Sequence, residues 1–339
     1  MTNKPRPNQP DDKATRLKAR IINGMKGDLA AVENELAVNL HPKLDLVEKV
    51  AGHILFSGGK RLRPILMILC ARLCGYSGQR DATYATSFEY LHAATLLHDD
   101  LIDGGTLRRG KSTAYTTFGN ETAVLTGDFL LARALAVAAM TENIDVVRTI
   151  VDISEQMSQG EIDQLDKKGV LTISEAEYME IIRRKTAVLF QGACRVGALI
   201  AAADPATVEA LSKYGRHLGI AFQMTDDLLD YTADVKALGK KTGADLKEGK
   251  LTLPVIYALN QADGPDRRKM ETIISDTHFS EKDFAALIQL LQQYGGIDYT
   301  NRQAALHVDR ARGALSGFPT GKTQNILMDV ADYALVRKQ

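Results

Sequence analysis

Cysteine is scarce in this chain, with three residues in 339: Cys70, Cys74 and Cys194. They make no metal-ligand framework, and Cys70 and Cys74, four apart in an apolar helical stretch, read as buried reduced thiols. Net charge is absent too, because 42 Lys and Arg balance 42 Asp and Glu. With no basic excess, nucleic acid is excluded as the main partner, and basic clusters must serve local sites. No apolar run approaches the ~20 residues of a membrane span, and Met1 to Lys13 is polar with no signal-peptide core, so a cytoplasmic chain without a transmembrane segment is expected. The G-x-x-x-x-G-K-[ST] pattern is missing, and no G-x-G-x-x-G follows a strand. Nucleotides are therefore not the implied phosphate source. Neither a Ser-His-Asp set nor a reactive cysteine stands out, which removes covalent nucleophilic routes.

Alternating stretches bounded by hairpin turns are also wanting, whereas the helical period recurs almost everywhere. An all-α protein follows. Residues 1–13 cannot bury apolar area and are expected to be disordered; residues 14–339 are read as one domain. Helices are predicted over roughly 16–38, 43–57, 63–75, 81–103, 122–140, 144–168, 174–201 and 205–234, with several more from 253 to 337. Asp81, Ser174 with Glu177, Asp204 with Pro205, and Ser280 with Asp283 mark helix starts. Two long loops, 104–120 and 231–252, remain between these helices.

What the chain does have is two aspartate clusters of one form, Asp99-Asp100-Leu101-Ile102-Asp103 and Asp226-Asp227-Leu228-Leu229-Asp230. Each follows an apolar helical run. On a helix, Asp99 shares a face with Asp103 and Asp226 with Asp230, so like charges stack. The first cluster also runs into Gly104-Gly105, a helix stop that sets it at the negative end of the dipole. Left alone, such carboxylates would be pushed toward neutrality. A divalent cation keeps them charged, and all-oxygen donors point to Mg²⁺, which completes its shell with substrate phosphates.

Basic, glycine-bearing segments complement the acids. Ser57-Gly58-Gly59-Lys60-Arg61-Leu62-Arg63-Pro64 precedes a strongly apolar helix, and its glycine pair, helix start and three cations suit a diphosphate. Arg108-Arg109-Gly110-Lys111 and the stretch from Gly239 through Lys250 lie in the loops that follow the two acidic clusters, as lids over an anion would. Guanidinium groups bind phosphate bidentately, which favours Arg63 and Arg109 over the lysines. The chemistry implied is metal-assisted departure of diphosphate, with the protein supplying position and charge.

Gly-Gly-Lys-Arg-Leu-Arg-Pro, Leu-Leu-His-Asp-Asp-x-x-Asp, Leu-Arg-Arg-Gly, Gly-Asp-Phe-Leu, Lys-Thr and Phe-Gln-x-x-Asp-Asp-x-x-Asp occur in one order from about Gly52 onward. In these the chain resembles the trans-isoprenyl diphosphate synthases, or polyprenyl synthetases, and within them the long-chain octaprenyl, decaprenyl and solanesyl enzymes. The resemblance implies an all-α isoprenoid synthase fold around a central cavity, a homodimer, and three Mg²⁺ ions. It makes Asp99, Asp103 and Asp226 the main metal ligands, with Asp100, Asp227 and Asp230 as accessory carboxylates. Arg108, Lys185, Lys240 and Lys250 would hold the allylic diphosphate; Lys60, Arg63, His92 and Arg109 would hold isopentenyl diphosphate. Thr186 and Gln223 fall where the family places polar groups beside the developing allylic cation. His98 is expected to be structural. The implied activity is repeated condensation of isopentenyl diphosphate onto an allylic diphosphate such as farnesyl diphosphate, giving a C40–C50 all-trans product for a quinone side chain. A geranylgeranyl or shorter-chain synthase, a terpene cyclase, and a non-catalytic subunit of a heterodimeric synthase are the alternatives.

Product length is read from the helix before the first cluster. Related short-chain synthases close their cavity with a large aromatic at the position of Ala94 or Thr95, and neither is bulky here. The same face continues through Leu91 to Phe88. With Phe88 as first stop, the open depth is about 16 Å, at about 1.5 Å per residue, which carries the product beyond fifteen carbons.

Overall fold

The structure, a computed structural model, describes residues 10–232 and 243–337. In chain order its helices are α1 (Pro10–Gly24), α2 (Lys26–Val38), α3 (Asp45–Leu55), α4 (Leu62–Leu73) and α5 (Asp81–Ile102). A two-stranded antiparallel hairpin, β1 (Leu107–Arg108) and β2 (Lys111–Ser112), leads to α6 (Ala114–Phe118), α7 (Asn120–Ala139), α8 (Ile144–Asp166) and α9 (Glu175–Ile182). A π-helical turn, Arg183–Ala187, joins α9 to α10 (Val188–Ile200), and α11 (Pro205–Thr232) follows. Beyond residue 242 come α12 (Ala244–Lys247), α13 (Leu253–Gln261), α14 (Gly264–Ser275), α15 (Glu281–Gln293), α16 (Gly296–Ala314) and α17 (Lys322–Val336).

The protein is all-α, as the helical period requires. Local chemistry fixes many of the ends: Ser174 and Glu177 form a reciprocal capping box, as do Ser280 and Asp283. Asp204 accepts from the N–H groups of Ala206 and Thr207 to open α11. Four expectations need correction, the first being the long loops: 104–120 folds into the hairpin and α6, and α12 lies within 231–252. The single helix predicted over 16–38 breaks at Met25 (φ −117°, ψ 12°) into α1 and α2. Of the segment expected to be disordered, residues 1–9 lie outside the described residues, while α1 already begins at Pro10. Finally, α7 is long and apolar enough to cross a bilayer by length and composition, which the hydropathy reading had denied to the whole chain. It carries Asp128 and Arg133 and buries one stripe, Ala123, Gly127, Leu130, Ala134 and Val137, the pattern of a helix packed by one face on a globular core.

Within the span read as one domain, the described chain gathers into two compact units. The first comprises α2 to α7 with the hairpin, α8 as far as Gln156, α10 from Leu189, and α11 as far as Gly215. Its axis is α5, which packs against α7, α4, α2 and α3. Residues Ile65 to Ala71 of α4 are all buried, so this helix is apolar on every side. Glycine at 197 lets α10 lie close against α4: a β-carbon there would sit 2.4 Å from the Met67 carbonyl oxygen. Both Cys70 and Cys194 are buried and Cys74 is half-buried; burial raises the Cys74 thiol to about 11, which keeps it protonated. His98 bonds the Val124 carbonyl at 3.1 Å and lies over Gly127, a structural placement.

The second unit comprises α1, α8 from Met157, α9, the π-helical turn, α11 from Arg216, and α12 to α17. Its core is centred on α13, with α15 and α16 packed against it, and includes Tyr178, Met224, Leu228, Leu253, Ile256 and Leu291. His217 of α11 and His307 of α16 meet at 3.0 Å, and His307 is only 6% exposed. Burial, reinforced by His217, Arg310 and Arg216, depresses the His307 ring to about 4. The unfolded chain binds that proton near pH 6.5 and the folded chain only near 4, so stability is present above this window and lost as pH falls through it. Thermal unfolding between pH 7 and 4 is expected to show roughly 2–3 kcal/mol of loss from this group, and His307→Gln should flatten that part of the profile.

Candidate active site

In the first unit, α5 ends at the first acidic cluster as the sequence predicts. Asp103 caps the helix, its N–H bonding Asp99 O at 2.8 Å, and Gly104 (φ 65°) turns the chain so that the Gly105 N–H returns to Asp100 O at 3.1 Å. Asp99 and Asp103 are half-buried, whereas Asp100 is 6% exposed. Asp100 is held by Arg108 as a fork: Nε lies 2.8 and 2.9 Å from its two oxygens, and Nη2 is 2.7 Å from Oδ1. The hairpin that carries Arg108 turns through Arg109 and Gly110, both at positive φ (51° and 76°), the geometry of a tight two-residue turn. A non-glycine residue there costs strain, which the hairpin spends on fixing Arg109.

His92, two turns before the cluster, is kept neutral, first by burial and then by Arg63, Arg108, Arg109 and Arg61, all of which raise the positive potential around its ring. The backbone of Gly59 approaches the same groups, since a β-carbon there would stand 3.2 Å from Arg61 Nη1 and 3.5 Å from Arg109 Nη1. Arg63 places its guanidinium 4.8 Å from the centre of the Phe190 ring. Arg63, His92, Arg108 and Arg109 are thus brought together in a field suited to an anion, and Lys60 is exposed on the adjoining loop. Arg61, counted among three cations in that segment, is not part of a phosphate cradle. It is 4% exposed and bonds Glu33, Glu89 (2.6 Å) and the Leu55 carbonyl (2.6 Å), so it anchors the loop to the core. Ala94, Leu91 and Phe88 are buried on α5 and Thr95 is half-buried; Phe88 also adjoins Gly192.

In the second unit, a pocket of about 180 Å³ is lined by Lys185, Thr186, Gln223, Asp227 and Lys250 together with Tyr178, Gln164 and Asp245. The π-helical turn supplies Lys185 and Thr186; such one-turn insertions recur at functional sites. Gly160 of α8 makes room for it, because a β-carbon there would fall 2.8 Å from the Lys185 backbone nitrogen. Lys185 donates to Gln164 Oε1 at 2.7 Å and pairs with Glu161. A relay of hydrogen bonds follows: Thr186 Oγ1 donates to Gln223 Oε1 (2.8 Å), Gln223 Nε2 donates to Asp227 Oδ1 (2.7 Å), and Tyr178 donates to Asp227 Oδ2 (2.6 Å).

The three aspartates of α11 therefore differ in environment more than their spacing suggests. Burial pushes Asp227 up to about 7; the Tyr178 and Gln223 hydrogen bonds oppose this, and Asp226 and Asp230 reinforce it. Asp230 accepts from the N–H groups of Ala244 (3.1 Å) and Asp245 (3.2 Å), so its carboxylate opens α12. Asp226 is 43% exposed and lies 2.8 Å from Arg337 Nη1. Asp245, raised by burial and then by Asp227 and Asp230, is a fourth acid of the cluster. Lys250 pairs with Glu248 at 2.6 Å, and Lys240 lies outside the described residues.

Sequence reasoning missed Glu161, Gln164, Tyr178, Asp245 and Arg337. Only Asp245 carried a usable signal, as an acid in the glycine- and lysine-rich segment after the second cluster. The others reach the site from α8, α9 and the end of α17. Each unit presents an acidic cluster with fixed cations beside it, and no preassembled nucleophile occurs among the described residues.

Residues 44–291 match the family described as Polyprenyl synthetase. The chain belongs to that family. It is 35% identical over 313 residues to octaprenyl diphosphate synthase of Escherichia coli, covering 91% of this chain and 96% of that one. It is 37% identical over 324 residues to the all-trans-nonaprenyl-diphosphate synthase (geranyl-diphosphate specific) of Rhodobacter capsulatus, covering 95% and 99%. A polyprenyl synthase from Caulobacter crescentus CB15, crystallised with calcium and isoprenyl diphosphate, has the same fold: TM-score 0.89 at 35% identity, over 99% of this chain and 100% of that one. The protein is accordingly a prenyltransferase of the isoprenoid synthase fold.

Gly160→Ala is expected to displace the π-helical turn, lowering stability by about 1–3 kcal/mol as overpacking does and, through the shifted Lys185 side chain, raising KM for an isoprenyl diphosphate substrate several-fold. Calorimetry and steady-state kinetics check both, and wild-type values in each would remove Gly160 as the support of Lys185.

Proposed function

We propose that this polyprenyl synthetase condenses isopentenyl diphosphate repeatedly onto an allylic diphosphate such as farnesyl diphosphate and releases a long all-trans polyprenyl diphosphate of C40–C50. The observation that carries the reading is the second acidic cluster, in which Asp226, Asp227, Asp230 and Asp245 lie together and burial, reinforced by Asp226 and Asp230, raises Asp227 to about 7. Among the described residues no group of three or more donors is preassembled around an ion, but the donors are all oxygen, which suits a hard divalent ion that completes its shell with substrate phosphate. Asp99, Asp103 and Asp226 would hold the ions, three Mg²⁺ in the full reading. Asp100, Asp227 and Asp230 stand behind them as accessory carboxylates. When bound, the metal would supply positive charge to the departing diphosphate.

The remaining work falls to the chain. Arg108, Lys185, Lys240 and Lys250 hold the allylic diphosphate, and Lys60, Arg63, His92 and Arg109 hold isopentenyl diphosphate. His92, kept neutral by burial and the surrounding arginines, donates a hydrogen bond to the anion through the single N–H that a neutral imidazole retains. Thr186 gives its hydrogen to Gln223, so its oxygen lone pairs are available to the allylic cation that develops as diphosphate leaves. The alkene of isopentenyl diphosphate attacks that cation, and the proton lost from the adduct passes to the diphosphate. Each cycle adds five carbons. Ala94 and Thr95, with Leu91 and Phe88 beyond them, set how many cycles occur, since on this face of α5 no aromatic lies between Phe88 and the cluster. A cytoplasmic homodimer that supplies a quinone side chain completes the proposal.

Two tests separate chemistry from length. Asp99→Ala and Asp226→Ala should each lower Mg²⁺-dependent condensation by a factor of at least ~10³, as losing an electrostatic transition-state contact implies; Asp99→Ala should keep thermal stability within about 1 kcal/mol of wild type, whereas Asp226→Ala also strips the buried Arg337 of its carboxylate and should cost about 3 kcal/mol. Turnover near wild type in either variant would sink the two-cluster mechanism. Ala94→Phe is expected to shorten the product by several units, read by chromatography of the dephosphorylated alcohols. An unchanged length would remove this face of α5 as the wall of the growing chain.

A further inference from the structure

Arg337 follows α17 with an extended backbone (φ −66°, ψ 146°), its N–H bonded to Tyr333 O at 3.1 Å. Its side chain is only 2% exposed. Nη2 donates to the Phe222 carbonyl at 2.5 Å, the guanidinium lies 3.5 Å from the centre of the Phe222 ring, and Nε is buried without a hydrogen-bond partner. Nη1 reaches Asp226 Oδ1 at 2.8 Å. Phe222 and Asp226 are four apart on α11, so ring, carbonyl and carboxylate form one face that receives the arginine.

Removing a guanidinium from water is costly unless a carboxylate neutralises it. Here the carboxylate is Asp226, which remains 43% exposed on its other side. Stacking on Phe222 and the carbonyl bond fix the guanidinium in a pose that the compact ammonium of lysine would not reproduce. A cation therefore already sits where the cluster's charge demands one. We propose that Arg337 is a built-in counter-cation of the second aspartate cluster: it orients Asp226 in the metal-free protein and gives way when a divalent ion claims that carboxylate.

The inference rests on the reading of Asp226 as a metal ligand and adds a competitor for it. One oxygen cannot serve the guanidinium and the metal equally well, and two cations near one carboxylate repel each other. Metal loading and the docking of Arg337 are then linked, and linkage is reciprocal: whatever releases Arg337 tightens metal binding, and metal loosens Arg337. The segment from Tyr333 to Arg337 reports whether the site is loaded.

The test uses Mn²⁺ alone, without substrate, titrated by the loss of its free-ion paramagnetic resonance signal into wild type, R337A, R337K and D226N. R337A is expected to bind Mn²⁺ about tenfold more tightly than wild type, as removal of a nearby unit charge implies, with R337K closer to wild type. D226N should lose that class of site. Hydrogen exchange on unsubstituted protein supplies a second readout: the Arg337 amide should exchange faster when the metal is saturating. Equal or weaker Mn²⁺ binding in R337A, with D226N still defective, or unchanged exchange in wild type, would overturn the counter-cation role and leave the metal reading standing. Mn²⁺ binding in D226N identical to wild type would overturn the metal reading and this inference with it.

Discussion

Repulsion among carboxylates held at the ends of apolar helices is the constraint around which each unit is arranged. The helices α5 and α11 bury apolar faces in their own cores, and that burial fixes where their aspartates must sit. Asp100 is stabilised by the Arg108 fork, Asp227 by Tyr178 and Gln223, Asp230 by two backbone N–H groups, and Asp226 by Arg337. Asp99 and Asp103 stand half-buried at the end of α5. This division of labour sorts carboxylates that the sequence presents as equivalent. Those drawn inward shape the site, and those left toward solvent are suited to take a metal.

The cations follow the same logic. Arg61 and Arg63 are two positions apart, yet Arg61 is consumed by Glu33 and Glu89 while Arg63 stays beside His92. Burial decides between them. A lone positive charge inside the first unit would be prohibitive, and two glutamates make it tolerable. The outcome is a rigid loop whose remaining cations can act on an anion. Likewise, the π-helical turn places Lys185 and Thr186 side by side on the pocket, and Gly160 supplies the space it needs.

Much of this was legible from residue order. Helix periodicity, the Ser174 and Ser280 capping boxes and the glycine stop after Asp103 are local features, and local features survive into the fold. The break at Met25 has a local signal, since Asn23, Gly24 and Gly27 flank it and are poor helix formers, but the apolar period running through 16–38 outweighs it. The partners of the aspartates were not legible: Tyr178 and Asp227 are 49 positions apart, and only packing brings the phenol to the carboxylate. Arg337 and Asp226 are more distant still. The apolar length of α7 shows the converse, where composition alone suits a membrane helix and its one buried stripe shows a helix packed on a globular core.

The central claim is that two carboxylate clusters and their fixed cations serve one metal-assisted condensation, repeated to a long product. Incubation of the protein with farnesyl diphosphate, radiolabelled isopentenyl diphosphate and Mg²⁺, followed by reversed-phase chromatography of the dephosphorylated products, tests it most directly. The account predicts polyprenols of forty to fifty carbons that vanish when the metal is chelated. A single addition, a cyclised hydrocarbon, or metal-independent product would contradict it.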